Sequence, residues 1–186
     1  SCILGSLILL QAGSEEQKGE LLPGIAQGKQ VPCLALTEAE YGWTPESVQM
    51  VARSRRGAFV LNGVKLFVHD AQAATHILCV ARSGRSSTPT EGITLFLVDR
   101  SSPGVSVRPL PGFLGRCYEV RFNSVRVPAS AVLGEVGGGW HPLQEAMEKA
   151  IPVLCAYQVG GCQAVFEMSV AYSQSRVQFG QPIGRF

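Results

Sequence analysis

Hydroxyl, carboxylate and imidazole groups fall at the ends of short apolar runs in this sequence. Residues 33–38, Cys-Leu-Ala-Leu-Thr-Glu, read as a short buried strand that stops at the Thr37 hydroxyl and the Glu38 carboxylate. Ala58-Phe59-Val60-Leu61 reads as a strand entering Asn62-Gly63, the strongest short hairpin signal. Lys65-Leu66-Phe67-Val68 is then the return strand, leading into polar His69-Asp70. Taken alone, these residues specify a β-domain with polar groups at its strand ends. Arg53-Ser54-Arg55-Arg56 is the one basic cluster; it could meet phosphates, but the plainer reading is a solvated loop before a strand. The six cysteines, at 2, 33, 79, 117, 155 and 162, contain no CxxC and no mixed Cys/His spacing, which argues against a zinc site or a disulfide framework. Cys155 and Cys162 lie about two helical turns apart, on a face expected to be buried, and reduced core cysteines favour a reducing compartment.

The elements that must position these groups follow from patterning. Residues 2–11 read as a buried helix broken at Gly13, and Ser14-Glu15-Glu16-Gln17 is a capping box that starts a second helix. Pro23 and Gly24 are expected to interrupt or end that helix, with Gly28 closing the segment. From residue 33 to about 128 the pattern is β, with strands expected at 33–37, 48–53, 57–62, 64–68, 76–82, 92–98, 105–108 and 118–127. Residues 83–91 are a Ser/Thr/Pro/Gly-rich loop and Pro103-Gly104 a turn. After the glycine-rich stretch 134–139, apolar residues recur at helical spacing to about 178, with Pro152 in the helix interior.

At 186 residues, 46% hydrophobic and 16% charged, the chain can bury a sizeable core and is not of disordered composition. Its net charge of +2 makes no case for a nucleic-acid partner. The apolar N-terminal stretch is too short to span a bilayer, which takes about 20 residues, and lacks the basic start of a signal peptide. A sequence that opens in mid-helix is expected to be a fragment of something longer.

These motifs, with Ser14-Glu15-Glu16-Gln17-Lys18, Val127-Pro128 and Arg176-Val177-Gln178-Phe179-Gly180, resemble in order the acyl-CoA dehydrogenase family of flavoenzymes. The resemblance implies an α+β, multi-domain fold. Residues 1–31 would close an N-terminal helical domain, 32–131 would form an antiparallel, β-barrel-like middle domain, and 132–186 would begin a truncated C-terminal helical bundle. It further implies an FAD cofactor and α,β-dehydrogenation of an acyl-CoA thioester to a trans-2-enoyl-CoA, a β-oxidation type of chemistry. Leu34, Leu36, Thr37 and Glu38 match the strand end that contacts the flavin in the family, with Thr37 the foremost side chain. Phe67 falls where the family places an aromatic, often Trp, against the isoalloxazine; the plainer alternative is a core aromatic. His69 stands where the family has Thr or Ser. A histidine can also donate there. Arg176, Gln178 and Phe179 match the element that binds the FAD of a neighbouring subunit, where a planar guanidinium fork suits a pyrophosphate. The alternative for Arg176 is compensation of the helix dipole.

Three departures accompany the resemblance. The small-residue loop that follows Thr-Glu in the family is here Ala39-Glu40-Tyr41-Gly42-Trp43-Thr44, so that Trp43 stands in place of a serine on the CoA side. The stretch between Leu114-Gly115 and Phe122 is several residues short. On the last helix Glu148 keeps an acid by charge, but Ile151 replaces an arginine that helps hold CoA, and Ala150 occupies the position of the minority members' catalytic glutamate. No residue of the chain is therefore expected to be the catalytic base, and the chain is expected to be inactive alone. The alternatives are a non-catalytic subunit of a heteromeric dehydrogenase, or oxidase or hydroxylase chemistry on the same fold. Implied partners are an acyl-CoA substrate, further subunits of a homo-oligomer or heteromer, and an electron-transfer flavoprotein. The implied location is the bacterial cytoplasm or the mitochondrial matrix.

Overall fold

The structure, a computed structural model, describes residues 2–112 and 117–186. It divides into two compact units, Ser1–Glu148 and Lys149–Phe186.

The first unit opens with α1 (Cys2–Ala12) and α2 (Glu15–Ala26). The capping box forms as expected: the Ser14 hydroxyl accepts from the Gln17 N–H at 3.2 Å, and the Gln17 side chain accepts from the Ser14 N–H at 2.9 Å. Pro23 and Gly24 do not end α2, which continues to Ala26. Proline at position 23 forfeits the one hydrogen bond its N–H would have made to the Gly19 carbonyl. The helix ends instead in a Schellman motif. Gly28, at φ +70°, donates to the Ile25 carbonyl at 2.9 Å, and Lys29 donates to the Gly24 carbonyl at 2.8 Å.

Eight strands follow: β1 (Pro32–Ala35), β2 (Val51–Arg55), β3 (Ala58–His69), β4 (His76–Arg82), β5 (Ile93–Asp99), β6 (Val105–Pro109), β7 (Cys117–Pro128) and β8 (Val132–Leu133). They run in the order β6-β7-β3-β2-β4-β5-β8, with β1 beside β4. The domain is sheet-rich as expected, but the end strands β6 and β8 are not paired, so no barrel closes among the described residues. β1 and β2 pair with β4 in parallel; the remaining pairs are antiparallel.

The hairpin lies elsewhere than expected. Residues 57–62 and 64–68 belong to one continuous strand, β3, with no turn at Asn62-Gly63. The two-residue turn is Arg56-Gly57, at φ +50° and +74°, between the paired residues Arg55 and Ala58. Arg53 and Arg55 therefore lie on β2, solvated but not in a loop. Asn62 serves a different purpose. Its side-chain oxygen accepts from the Ser124 N–H at 2.7 Å, capping a register shift between β3 and β7. Gly63 is required by close approach, since a Cβ there would lie 2.8 Å from the Met50 side chain.

Alternation along β4 buries both faces of the sheet. Ile77, Cys79 and Ala81 join one core with Phe59, Leu61, Phe96, Val120 and Phe122. Leu78 and Val80 join another with Ile8, Leu9 and Leu21 of the helices, and with Trp140, Leu143 and Ala146 at the start of α3 (Trp140–Ser175). Burial of both faces explains why β4 and β5 read as unbroken apolar runs.

In the second unit α3 continues unbroken through Pro152 to Ser175, short of the expected 178. A small hairpin follows, β9 (Val177–Gln178) with β10 (Gln181–Pro182), turning at Phe179-Gly180 with φ +46° and +81°. Ile151, Leu154, Tyr157, Val165, Phe166 and Met168 are all exposed. Cys155 and Cys162 are exposed as well, contrary to the expectation of a buried face, because no described residue of this unit covers that side of α3. No described helix is long and apolar enough to cross a membrane.

Candidate functional site

The chain leaves β1 at Ala35 and is held at once by a buried ion pair. Lys65 lies on β3, fully buried, and its ammonium donates to Glu38 Oε1 at 2.6 Å and to the Leu36 carbonyl at 3.0 Å. Glu38 also accepts from the backbone N–H groups of Gln49 (3.1 Å) and Met50 (3.0 Å). A charge removed from water is tolerable only when paired and hydrogen-bonded, and both partners meet that condition here. The pair pins the Thr37-Glu38 turn against β3, where the Leu66 N–H donates to the Thr37 carbonyl at 2.8 Å.

Thr37 is thereby placed beside the end of β3, nearly buried, and among the described residues nothing hydrogen-bonds its hydroxyl. Leu36 packs its side chain into the helix-side core and Leu34 packs against that core. Phe67 sits in a β-bulge, where the β3–β7 register shifts between Lys65 and Val68. Its backbone is left-handed, at φ +53°, and its ring is 44% exposed, so it is no core aromatic. His69 is exposed and pairs across the ladder with Cys117, whose sulfur lies 3.7 Å from Nδ1.

The loop 39–44 is tight. Tyr41 donates its N–H to the Glu38 carbonyl at 3.0 Å, and a Cβ on Gly42 would lie 2.5 Å from that of Ser47, which accounts for the glycine. Tyr41, at φ +53°, meets Phe67 edge to face, ring centroids 5.3 Å apart and planes 87° apart. Sequence reasoning singled out Trp43, which is 69% exposed, and missed Tyr41. The available signal was a second aromatic in a loop that the resemblance leads one to expect small; the left-handed backbone leaves no mark in a non-glycine residue.

Glu148 is exposed on α3 and accepts from Gln144 at 3.0 Å. In the second unit Arg176 lies between α3 and β9, with Gln178 and Phe179 on the hairpin. All three are exposed, Phe179 94% so, its ring edge-on to Phe186. Arg176 is tied by backbone only, its N–H to Tyr172 (2.8 Å) and its carbonyl to Ile183 (2.9 Å).

The thiols of Cys33 and Cys79, inside the sheet, are pushed up to about 12, chiefly by burial. Two open concavities lie on the first unit, one lined by Glu46, Arg82, Arg85 and Ser86, the other by Val31, Asp70 and Tyr118. Neither is lined by Thr37 or Phe67. No group of three metal-ligating side chains occurs among the described residues, and the shortened stretch at Leu114-Gly115 lies partly outside them. Thr37, Tyr41 and Phe67 together offer an unengaged hydroxyl beside two exposed rings. Such a surface stacks a planar ring and hydrogen-bonds its edge.

Residues 33–125 match the family model described as acyl-CoA dehydrogenase, middle domain, and residues 137–186 the one described as acyl-CoA dehydrogenase, C-terminal domain. An acyl-CoA dehydrogenase of Bacillus subtilis (strain 168) is 32% identical, over 97% of this chain and 48% of its own length. A mitochondrial isovaleryl-CoA dehydrogenase of Oryza sativa subsp. japonica is 31% identical, over 96% and 44%. A glutaryl-CoA dehydrogenase from Mycobacterium smegmatis, solved in complex with FADH2, superposes with a TM-score of 0.86 at 28% identity, over 100% of this chain and 48% of its own. The chain thus spans about half the length of the curated relatives it matches.

Proposed function

The chain belongs to the acyl-CoA dehydrogenase family, and on that premise we propose that it forms the flavin-facing part of an FAD-dependent enzyme that converts an acyl-CoA thioester to the trans-2-enoyl-CoA. The observation that carries this reading is the Thr37–Phe67 arrangement, a free hydroxyl and a half-exposed ring fixed side by side over a buried ion pair. These residues fit a flavin in chemical type. The Thr37 hydroxyl is free to donate to a ring acceptor, the Phe67 face is open to stacking, and Lys65 is already committed to Glu38. The chemistry a bound flavin supplies is acceptance of the substrate's β-hydrogen as hydride.

In this reading Thr37 and His69 donate to the isoalloxazine edge, Phe67 covers its face, and the β1 end at Leu34 and Leu36 supplies backbone contacts. Arg176 holds the pyrophosphate of an FAD bound by a neighbouring subunit, with Gln178 and Phe179 beside it. Trp43 and Glu148 lie on the CoA side. The exposed apolar length of α3 packs against further helices in the assembled oligomer, homomeric or heteromeric, and an electron-transfer flavoprotein reoxidises it. The place of action is the cytoplasm of a bacterium or the mitochondrial matrix. The domain limits are 1–31, 32–131 and 132–186. The 186-residue chain alone does not turn over acyl-CoA, since Ala150 carries no carboxylate and Glu148 faces solvent.

A second reading, a non-catalytic partner subunit, is favoured by the bulky Tyr41 and Trp43 in place of small residues. The visible absorption of the purified chain, after addition of FAD and removal of the excess, tests the first reading. A retained flavin band is expected, and weakened by Thr37→Ala. A colourless protein points to a fragment or a partner subunit, which the same spectrum with the C-terminal region added separates.

A further inference from the structure

Tyr41 and Phe67 share an uncommon arrangement. Each is an aromatic residue with a left-handed backbone, φ +53° in both, a conformation that side chains other than glycine rarely adopt. Strained residues of this kind persist only where the surroundings over-determine them, and they cluster at functional sites. Glu38 is bonded into both neighbourhoods. The Glu38 carbonyl accepts from the Tyr41 N–H at 3.0 Å, while the Glu38 carboxylate holds Lys65, two positions before Phe67, at 2.6 Å. The rings so placed stand 87° apart with centroids 5.3 Å apart, yet remain 70% and 44% exposed. Core packing therefore does not account for them.

We propose that Tyr41 is a positioning residue, one wall of a right-angled aromatic corner that takes the isoalloxazine ring of a flavin. The proposal rests on the flavin reading above and adds to it a residue and a geometry. A planar ring lying parallel to Phe67 stands perpendicular to Tyr41. It thus gains a stacked contact from one wall and an edge-to-face contact from the other, the two arrangements that aromatic quadrupoles favour. Tyr41 also stops Phe67 from rotating out of the plane required for stacking. The ligand class is a tricyclic heteroaromatic, recognised by its ring and not by its phosphates.

The test titrates the 186-residue chain with riboflavin, which has the ring without pyrophosphate or adenine, and with AMP, which has adenine without the isoalloxazine. Flavin fluorescence quenching and the shift of the visible band report riboflavin binding, and competition by AMP reports the adenine. Tyr41→Gly removes the ring at a backbone angle that glycine adopts freely, Tyr41→Asn repeats the removal with another residue tolerant of that angle, and Tyr41→Phe restores the ring without the hydroxyl. The expected result is riboflavin binding weakened at least about tenfold by the glycine and asparagine variants, with a reduced band shift, and recovery with phenylalanine. Parent-like binding and band shift in the glycine and asparagine variants would overturn the corner while leaving the flavin reading standing. A phenylalanine variant as weak as the glycine one would assign the effect to the hydroxyl, which also overturns it. No quenching by the parent chain, or displacement of riboflavin by AMP at equal concentration, would overturn the isoalloxazine reading itself.

Discussion

The two regions proposed to meet the cofactor are built in opposite ways. At the Thr37–Glu38 turn the charged groups are fixed from within, a fully buried ammonium and a carboxylate with one cation and two backbone donors, beside a ring in a bulge. Around Arg176 the hairpin is held by backbone bonds, the Gln178 amide on the Val177 carbonyl and the exposed Phe179–Phe186 ring contact, at the end of a helix whose apolar residues are exposed. The first region is specified by its own unit. The second presents its groups outward and draws little stability from its own side chains, which suits residues proposed to act on another subunit.

The largest test of this contrast removes the buried cation. Lys65→Met leaves Glu38 without its counter-charge in a nearly dry site. Breaking such a pair costs about 3–5 kcal/mol, to be read from urea unfolding followed by the near-UV signal. A loss below about 1 kcal/mol would mean that the two backbone donors hold the turn unaided, and the contrast would weaken. Thiol chemistry compares the same regions in the native state. With their thiols pushed up to about 12, Cys33 and Cys79 hold a thiolate fraction lowered roughly a thousandfold. Exposed Cys155 and Cys162 are expected to take up iodoacetamide first, with the sites mapped by mass spectrometry. Equal labelling would show that the sheet opens as readily as the helix is exposed. The smallest effect belongs to the helix itself. Leu154→Gln on the uncovered side of α3 should alter the stability of this chain by less than about 0.5 kcal/mol, and a larger loss would reveal packing that the exposure does not suggest.

Much of this organisation was legible in the sequence because it depends on local or periodic signals. The capping box at Ser14, the apolar runs of β4 and β5 and the turn at Pro103-Gly104 needed nothing beyond neighbouring residues. Asn62-Gly63 misled because the same dipeptide that favours a tight turn also serves a bulge. Here the β7 ladder, paired along both halves of β3, outweighed the local preference. Pro23 lies only one turn from the end of α2, so its missing N–H costs the helix one hydrogen bond without ending it. The exposure of Cys155 and Cys162 could not be read from periodicity, which identifies an apolar face but not whether anything covers it. Of the candidate site, Thr37 and Phe67 were singled out through the family resemblance. The Lys65–Glu38 bond joins residues 27 apart, and the left-handed turn of Tyr41 belongs to the tertiary structure.

The length of β3 also sets a schedule. Its far half, from Gly63 to His69, has its ladder with β7 and not with β2. Lys65 pairs with Val120, so this half cannot be completed until residue 120 has been synthesised. At about 5–20 residues per second this half waits several seconds for its partner, with Val68 uncovered and its edge open to other chains.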